Sequence, residues 1–399
     1  MNTVYVFQSF PHTFHKSLYL AGPTPRDPTL ASWRPQALHL LKASAYDGVV
    51  FVPESQDGQR RGDYNQQMAW ELETMRRADI LLFWVPAEKD TLPAYTTRIE
   101  FGLQVQSGKV VLGMPHDAYK TRYIEKLAQK YQLAVHHTLA ETVTAALAKL
   151  GRGAERSGAE CLVPLEIWHA PHFQEWYRAQ TAAGHTLADV PNIEWVFRVG
   201  EKHTVPLFIA LHVAMKVHGE DRIKANEAVI IRPSIVTVCA YCPGESRALD
   251  RFVLIKEYRI SVMNAQGFVF ELPGGSSVQP GADPIDVAMD ELEQETDIRL
   301  ARERFRFVGR RQIAATMIAN EALLLAVRLE LAEIDAIANR QGETHGNSAE
   351  TEHTSLYVFT RQQLIEGQLV DYATLGQIAL VDGDRNRGDE FSESSPHDG

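Results

Sequence analysis

Between residues 16 and 150, short apolar runs alternate with stretches of helical spacing, and no other feature limits the fold as tightly. Residues 16–22, 48–53, 78–86 and 109–115 are apolar almost throughout and end in glycine or proline. Residues 30–44, 64–77, 98–107, 123–132 and 139–150 carry apolar side chains at helical spacing. A strand with one wet face alternates apolar and polar residues, and these do not. They predict strands covered on both faces, hence a doubly wound parallel sheet in an α/β domain over residues 1–150.

The remainder reads differently. Residues 151–160 contain three glycines among mixed charges and read as a linker. Residues 161–381 read as a second, α+β domain with an N-terminal extension, whose stretch from 169 to 218 is rich in aromatics and histidines and suggests no function. Strands are expected over 228–240, 251–258, 268–272, 305–308, 322–331 and 355–359, and helices over 284–296, 361–366 and 372–380. Residues 382–399 are rich in Asp, Glu, Ser and Gly and read as an acidic flexible tail. A chain of 399 residues is long enough for two cores.

The formal net charge of −11 argues against a large nucleic-acid surface, though not against single nucleotides. Three cysteines are too few for a disulfide framework. Cys239 and Cys242 form a CxxC without the second pair a zinc site needs, inside a run that reads as strand. No run of about 18 apolar residues suggests a membrane span, and no basic-then-apolar leader opens the chain, so a cytoplasmic location is expected.

Chemistry-bearing residues fall at the ends of the first domain's strands. Tyr19 precedes Ala21-Gly22-Pro23. Glu71 lies on the helix leading to Ala78-Asp79-Ile80. Glu100 opens Glu100-Phe101-Gly102. In a doubly wound sheet all three can face one crevice at the strands' carboxyl ends. Taken singly, each has a plainer reading. Glu100 is a dipole partner near a helix N-terminus, Tyr19 is packing with its hydroxyl satisfied, and Asp79 accepts local hydrogen bonds. Arg26 and Arg34 flank the first turn. They are either ordinary surface arginines or holders of a 5′-phosphate.

In their order and spacing, Tyr19-Leu-Ala-Gly22, Glu71 before Asp79, Thr97-Arg-Ile-Glu100-Phe-Gly102 and Gln106-Ser-Gly-Lys-Val-Val-Leu resemble the nucleoside 2-deoxyribosyltransferase superfamily over roughly residues 16–150. The resemblance implies that Glu100 is the nucleophile, that Glu71 assists at the sugar or base, and that Tyr19 orients the nucleophile. Gly22, Arg26, Arg34 and Gly102 would line the substrate. The chemistry suits these types: a carboxylate captures the anomeric carbon as an N-glycosidic bond breaks, a proton donor helps the base leave, and no cofactor is needed.

In the second domain, Glu271-Leu-Pro-Gly-Gly followed by Ala288-Met-Asp-Glu-Leu-Glu-Gln-Glu resembles the Nudix box. The flanks resemble the ADP-ribose pyrophosphatase branch, over about residues 225–381. This implies a Nudix fold in which Glu291 and Glu295, one helical turn apart, hold Mg²⁺ against a diphosphate. The box departs from the pattern at Ala282, Asp290, Gln294 and Asp297 and has one extra residue in its turn. Glu343, Glu350 and Glu352 are possible further acids or plain loop residues. The expected function is bifunctional: an N-glycosidase or deoxyribosyltransferase acting on a nucleoside or nucleotide, joined to a domain that hydrolyses or binds a compound such as ADP-ribose. A nucleotide-sensing regulator and a Nudix diphosphatase alone are the alternatives. A homo-oligomer is a further implication of the transferase resemblance.

Overall fold

The computed structural model describes residues 1–25, 29–57, 63–200, 205–276, 281–346, 353–367 and 369–384, with backbone only at 382–384. It divides into two compact units. The first comprises Met1–Trp195 and Leu211–Ala228, and the second Val196–Ala210 and Val229 onward.

In the first unit, strands β1 (Asn2–Tyr5), β2 (Thr13–Phe14), β3 (Ser17–Ala21), β4 (Val49–Val52), β5 (Ile80–Trp84), β6 (Val110–Gly113), β7 (Val135–His136) and β8 (Arg156–Ser157) accompany helices α1 (Arg34–Ala43), α2 (Tyr64–Arg77), α3 (Tyr95–Gln104), α4 (Arg122–Lys130) and α5 (Leu139–Leu150). Six strands form one sheet in the order β1-β4-β3-β5-β6-β7, and all its pairings are parallel. Successive side chains in a strand point to opposite faces. Tyr19, Ala21, Phe51, Leu81 and Phe83 therefore pack on the side that receives Trp70 and Met75 of α2 and Phe101 of α3. Leu18, Leu20, Val50, Leu82 and Trp84 pack with Ala37 and Leu41 of α1 and Val143 and Ala146 of α5. Local signals set the helix ends. Asp63 caps α2 by accepting from the Asn65 amide, and Thr138 and Glu141 make a capping box at α5.

Residues 151–160, expected as a linker, are instead part of this unit. β8 pairs antiparallel with β2, and Arg156 is buried with both carboxylate oxygens of Asp79 at 2.8 Å. Ser17 Oγ donates to Asp79 at 3.0 Å and Arg156 donates to the Val163 carbonyl at 2.8 Å, so neither charge is left unsolvated. Asp79 is thus structural, held by side chains rather than by backbone amides alone. Helices α6 (Leu165–Trp168) and α7 (Pro171–Ala182) follow, with Trp168, Phe173 and Tyr177 in mutual ring contact. They too group with the first unit, not with the domain expected from residue 161. A glycine-rich composition gives no sign of one buried arginine whose partner lies 77 positions earlier.

Long strands β9 (Thr186–Val199), β10 (Val205–Lys216) and β11 (Ile223–Ile231) come next. The second unit's main sheet is built from β12 (Ile235–Cys242), β13 (Arg251–Tyr258), β14 (Phe268–Glu271), β15 (Gly274–Gly275), β16 (Arg306–Gln312), β18 (Glu321–Arg328), β19 (Thr344–His345) and β20 (Thr354–Thr360). Its spine runs β16-β18-β12-β13-β20-β19 and mixes parallel and antiparallel pairs, while the short β17 (Ile318–Ala319) pairs with β11. The strand expected over 228–240 is two strands in different sheets. Pro233, without an amide hydrogen, falls at the break. Helices α8 (Pro284–Thr296) and α9 (Leu331–Ala338) cover one face of the sheet. Helices α10 (Arg361–Glu366) and α11 (Tyr372–Asp384) pack at the other. Cys239 and Cys242 form no disulfide with each other and are buried on opposite faces of the sheet, packed into its two apolar clusters. No helix among the described residues is long and apolar enough to cross a membrane.

Removing Arg156 would strand Asp79 in the core. Arg156→Ala is expected to destabilise the first unit by about 3–5 kcal/mol, and Asp79→Asn with Arg156→Met together by less than the sum. Urea unfolding of the single and double variants checks this; additive losses would show that the pair is not coupled.

Candidate active site

The chain leaves β3 for β4 on one side, and β5 lies on the other, so the sheet's topological switch is at β3. Pro53, Pro86 and Pro115 follow the ends of β4, β5 and β6 and start the loops there. Gly22, just past β3, is required by close approach: a Cβ there would lie 2.3 Å from the Trp84 carbonyl oxygen and 2.7 Å from the Trp33 ring.

Arg34, the first residue of α1, is not a surface arginine. It is 1% exposed. Its Nε donates to the Leu20 carbonyl at 3.1 Å, Nη2 to the Gly22 carbonyl at 2.6 Å, and Nη1 to Thr24 Oγ1 at 3.0 Å and to Glu54. Ser32 Oγ also donates to Glu54, at 3.1 Å. The guanidinium is turned into the fold, where it ties the β3–α1 loop to the loop after β4. These donors are engaged by acceptors within the fold, not turned outward as a surface arginine's would be. Arg26 lies outside the described residues.

Three of the expected residues act on one another through their charges. Tyr19 is fully buried in β3, and burial, then the charges of Glu100 and Glu71, push its phenol well above its usual range. Glu71 on α2 is half-buried and accepts from Gln67 Nε2 at 2.9 Å. Burial raises its carboxyl, opposed by that hydrogen bond and by Arg34. Glu100 on α3 is also half-buried. Burial first, then the charge of Glu71, push its carboxyl up to about 7 against the pull of Arg34. Two carboxylates sharing a desolvated place around one buried cation hold a proton near neutral pH. Gly102 is exposed, and a Cβ there would meet nothing, so packing does not demand a glycine. Sequence reasoning missed Glu54, Gln67 and the inward turn of Arg34; Glu54, directly after the Val52-Pro53 strand end, was the one legible signal.

These helices also expose apolar stripes. Tyr64, Met68 and Leu72 on α2 are 72%, 45% and 47% exposed, and Tyr95, Ile99 and Leu103 on α3 are 66%, 65% and 67% exposed. Each set is spaced by four and lies on one helix face.

In the second unit, Glu291 packs on β15, where a Cβ on Gly275 would sit 2.1 Å from its carboxylate. Glu295 is buried, and its Oε2 accepts from the Gly274 amide at 2.9 Å. Asp290, at the place of the missing box arginine, is exposed. Arg259 supplies a cation instead. It meets Glu257 at 2.6 Å and Glu271 at 2.9 Å, and its positive form is favoured by their charges and that of Glu295. Asp297, at the place of the box's last glycine, ends α8 in the left-handed region at φ 54°. Among the described residues no three acids, histidines or cysteines are grouped to hold a metal. Glu343 is described but is not brought into such a group with Glu291 and Glu295, whereas Glu350 and Glu352 lie outside the described residues. A cation pair was also missed. Arg232 stacks over Phe208 at 5.1 Å, its buried Nε meets no acceptor among the described residues, and burial and then the nearby Arg259 oppose its charge.

A parallel sheet with its switch at β3 places the first unit among doubly wound α/β folds. More particularly, residues 15–118 match the family described as nucleoside 2-deoxyribosyltransferase like. No curated protein matches the chain. The solved structure of an ADP compounds hydrolase is similar at 15% identity and a TM-score of 0.33, over 51% of this chain and 96% of its own.

The raised Glu100 carboxyl makes a stability statement. Its protonated form is favoured by the fold, so its contribution is complete below the unfolded value of 4.5 and is lost as pH rises through about 7. Glu100→Gln is therefore expected to exceed the parent by about 1–3 kcal/mol at pH 8 and to match it near pH 4.5. Thermal melts across that range check it; a difference independent of pH would contradict the burial of a titrating carboxyl.

Proposed function

We propose that the first unit breaks the N-glycosidic bond of a nucleoside or nucleotide and passes the sugar to water or to another base. Supporting this reading are the match of residues 15–118 to the nucleoside 2-deoxyribosyltransferase-like family and, within them, the half-buried Glu100, whose carboxyl burial and then the charge of Glu71 push up to about 7. The Glu100 carboxylate attacks the anomeric carbon. A bond forms from its oxygen to that carbon as the carbon–nitrogen bond breaks. The electron pair leaves on the base nitrogen, which takes a proton from the Glu71 carboxyl. Water then attacks the same carbon, gives its proton to Glu71 and frees Glu100, with net retention. Arg34 steadies the anionic nucleophile, and the Tyr19 hydroxyl orients it.

The second unit binds a nucleoside diphosphate compound such as ADP-ribose without rapid hydrolysis. Supporting this are the buried Nε of Arg232, which meets no acceptor among the described residues, and the engagement of Glu295 by the Gly274 amide. The apolar stripes on α2 and α3 support a homo-oligomer, which sedimentation of Ile99→Glu against the parent tests; identical monomeric species would remove it.

With purified protein and a panel of nucleosides, deoxynucleotides, NAD and ADP-ribose, free base is expected in EDTA. Glu100→Ala should lower its release at least about 10³-fold, and kcat/KM should fall as pH rises through about 7, because the pair then loses the one proton that Glu71 must give to the base. Unchanged release by Glu100→Ala would end this reading. Rapid Mg²⁺-dependent monophosphate release would make the second unit the hydrolase.

A further inference from the structure

Gln67, Trp70, Glu71, Thr74 and Met75 stand at i, i+3, i+4, i+7 and i+8 of α2, the spacing of one helix face. Trp70, Thr74 and Met75 are buried, and Trp70 and Met75 pack with the sheet, so this face is the inward one. An inward stripe is ordinarily apolar throughout, because each polar group it buries must find a partner. The later turns keep to that rule: the Thr74 hydroxyl donates to the Trp70 carbonyl at 2.6 Å, and Met75 is core. The first turns break it, with Gln67 and Glu71 half-buried where apolar side chains would serve packing better. The chain passes from β4 through α2 to β5, both parallel to β3, so these first turns stand at the carboxyl end of the sheet. The face is also pinned. Trp70 Nε1 donates to the Gln8 carbonyl at 3.2 Å, and Phe10 stacks on Trp70 at 5.9 Å.

The two polar residues answer one another. Gln67 Nε2 donates to Glu71 Oε1 at 2.9 Å, across one helical turn. An amide nitrogen only donates, so Oε1 is committed as an acceptor and a proton carried by Glu71 belongs on Oε2. Among the described residues nothing else donates to this carboxyl. The bond favours the ionised form and so opposes the upward push of burial. Both effects serve a general acid: the proton has one place, and the carboxylate keeps a partner once the proton has gone. Packing alone would be satisfied by any side chain of this length, whereas these effects need the N–H.

We propose that Gln67 is the positioning residue of the proton donor: its side-chain amide holds Glu71 by one oxygen, so that the other presents the proton to the departing base and later takes one from water. Gln67 acts through Glu71 and not on the sugar. The proposal rests on the glycosidic reading above for the base, but the hold of Gln67 on Glu71 is measurable without substrate.

That hold is tested by titrating the Glu71 carboxyl with carbon NMR on the full chain, in the parent, Gln67→Met and Gln67→Glu. Its signal is the one that Glu71→Gln removes. Both variants keep the length of the side chain and lose the donor, and Gln67→Glu adds a like charge one turn away. Glu71 is expected to titrate higher in Gln67→Met than in the parent, and higher again in Gln67→Glu. Base release in EDTA gives the second readout: kcat at the optimum pH is expected to fall about 5–10-fold in both variants, with KM within about twofold. Gln67→Glu, nearly the parent's shape, keeps the test if Gln67→Met folds poorly. A Glu71 titration unmoved in both variants overturns the proposal whatever the rates do. So does a moved titration with kcat unchanged, which leaves Gln67 a packing partner. A moved titration without any Glu100-dependent base release in the parent keeps the hold of Gln67 on Glu71 and removes the glycosidic reading.

Discussion

Arg34 carries a full positive charge into a place 1% exposed, and the loops at the end of β3 and β4 are arranged to meet it. Burying a guanidinium is costly unless its donors find acceptors. Here they find the carbonyls of Leu20 and Gly22, the Thr24 hydroxyl and Glu54. Those acceptors lie on two different loops, so one side chain fixes both. Gly22 can offer its carbonyl because it has no Cβ to collide with Trp84 and Trp33. The same charge reaches Tyr19, Glu71 and Glu100 and opposes the upward push of burial on each.

A carboxylate pair in that setting is poised rather than stable. Burial and mutual repulsion keep one proton on the pair near neutral pH, and Arg34 keeps the ionised form within reach. In the free protein that proton favours Glu100, whose carboxyl lies at about 7. A nucleophilic Glu100 needs the proton lost or moved, and positive charge developing on a sugar would favour that shift. Stability is given up at this position, as it is wherever a titrating carboxyl is desolvated without full compensation.

Much of this was legible in the sequence. Helices Tyr64–Arg77, Leu139–Leu150 and Pro284–Thr296 lie where apolar spacing and caps put them. The apolar runs read as parallel strands because both faces are covered, and Glu71, Glu100 and Tyr19, picked out on those elements, do act on one another through their charges. What was not legible depends on partners far apart in the chain. Arg34 looks like any loop arginine until Leu20, Gly22 and Glu54 surround it, and Arg156 hides in a glycine-rich stretch until Asp79 claims it. Residues 228–240 look like one strand because the break at Arg232-Pro233-Ser234 is short. In the second unit the lost box arginine was visible, but not that Arg259 would stand among Glu257, Glu271 and Glu295.

The central claim is that Glu100 forms a covalent bond to the sugar. Acid quenching during turnover of whichever substrate releases base, followed by mass spectrometry of the intact chain and its peptides, tests it most directly. The account predicts a mass increment equal to the sugar moiety, confined to the peptide containing Glu100 and absent in Glu100→Gln. Turnover with no adduct under conditions where hydrolysis of the intermediate is rate-limiting, or an adduct on another residue, would contradict it.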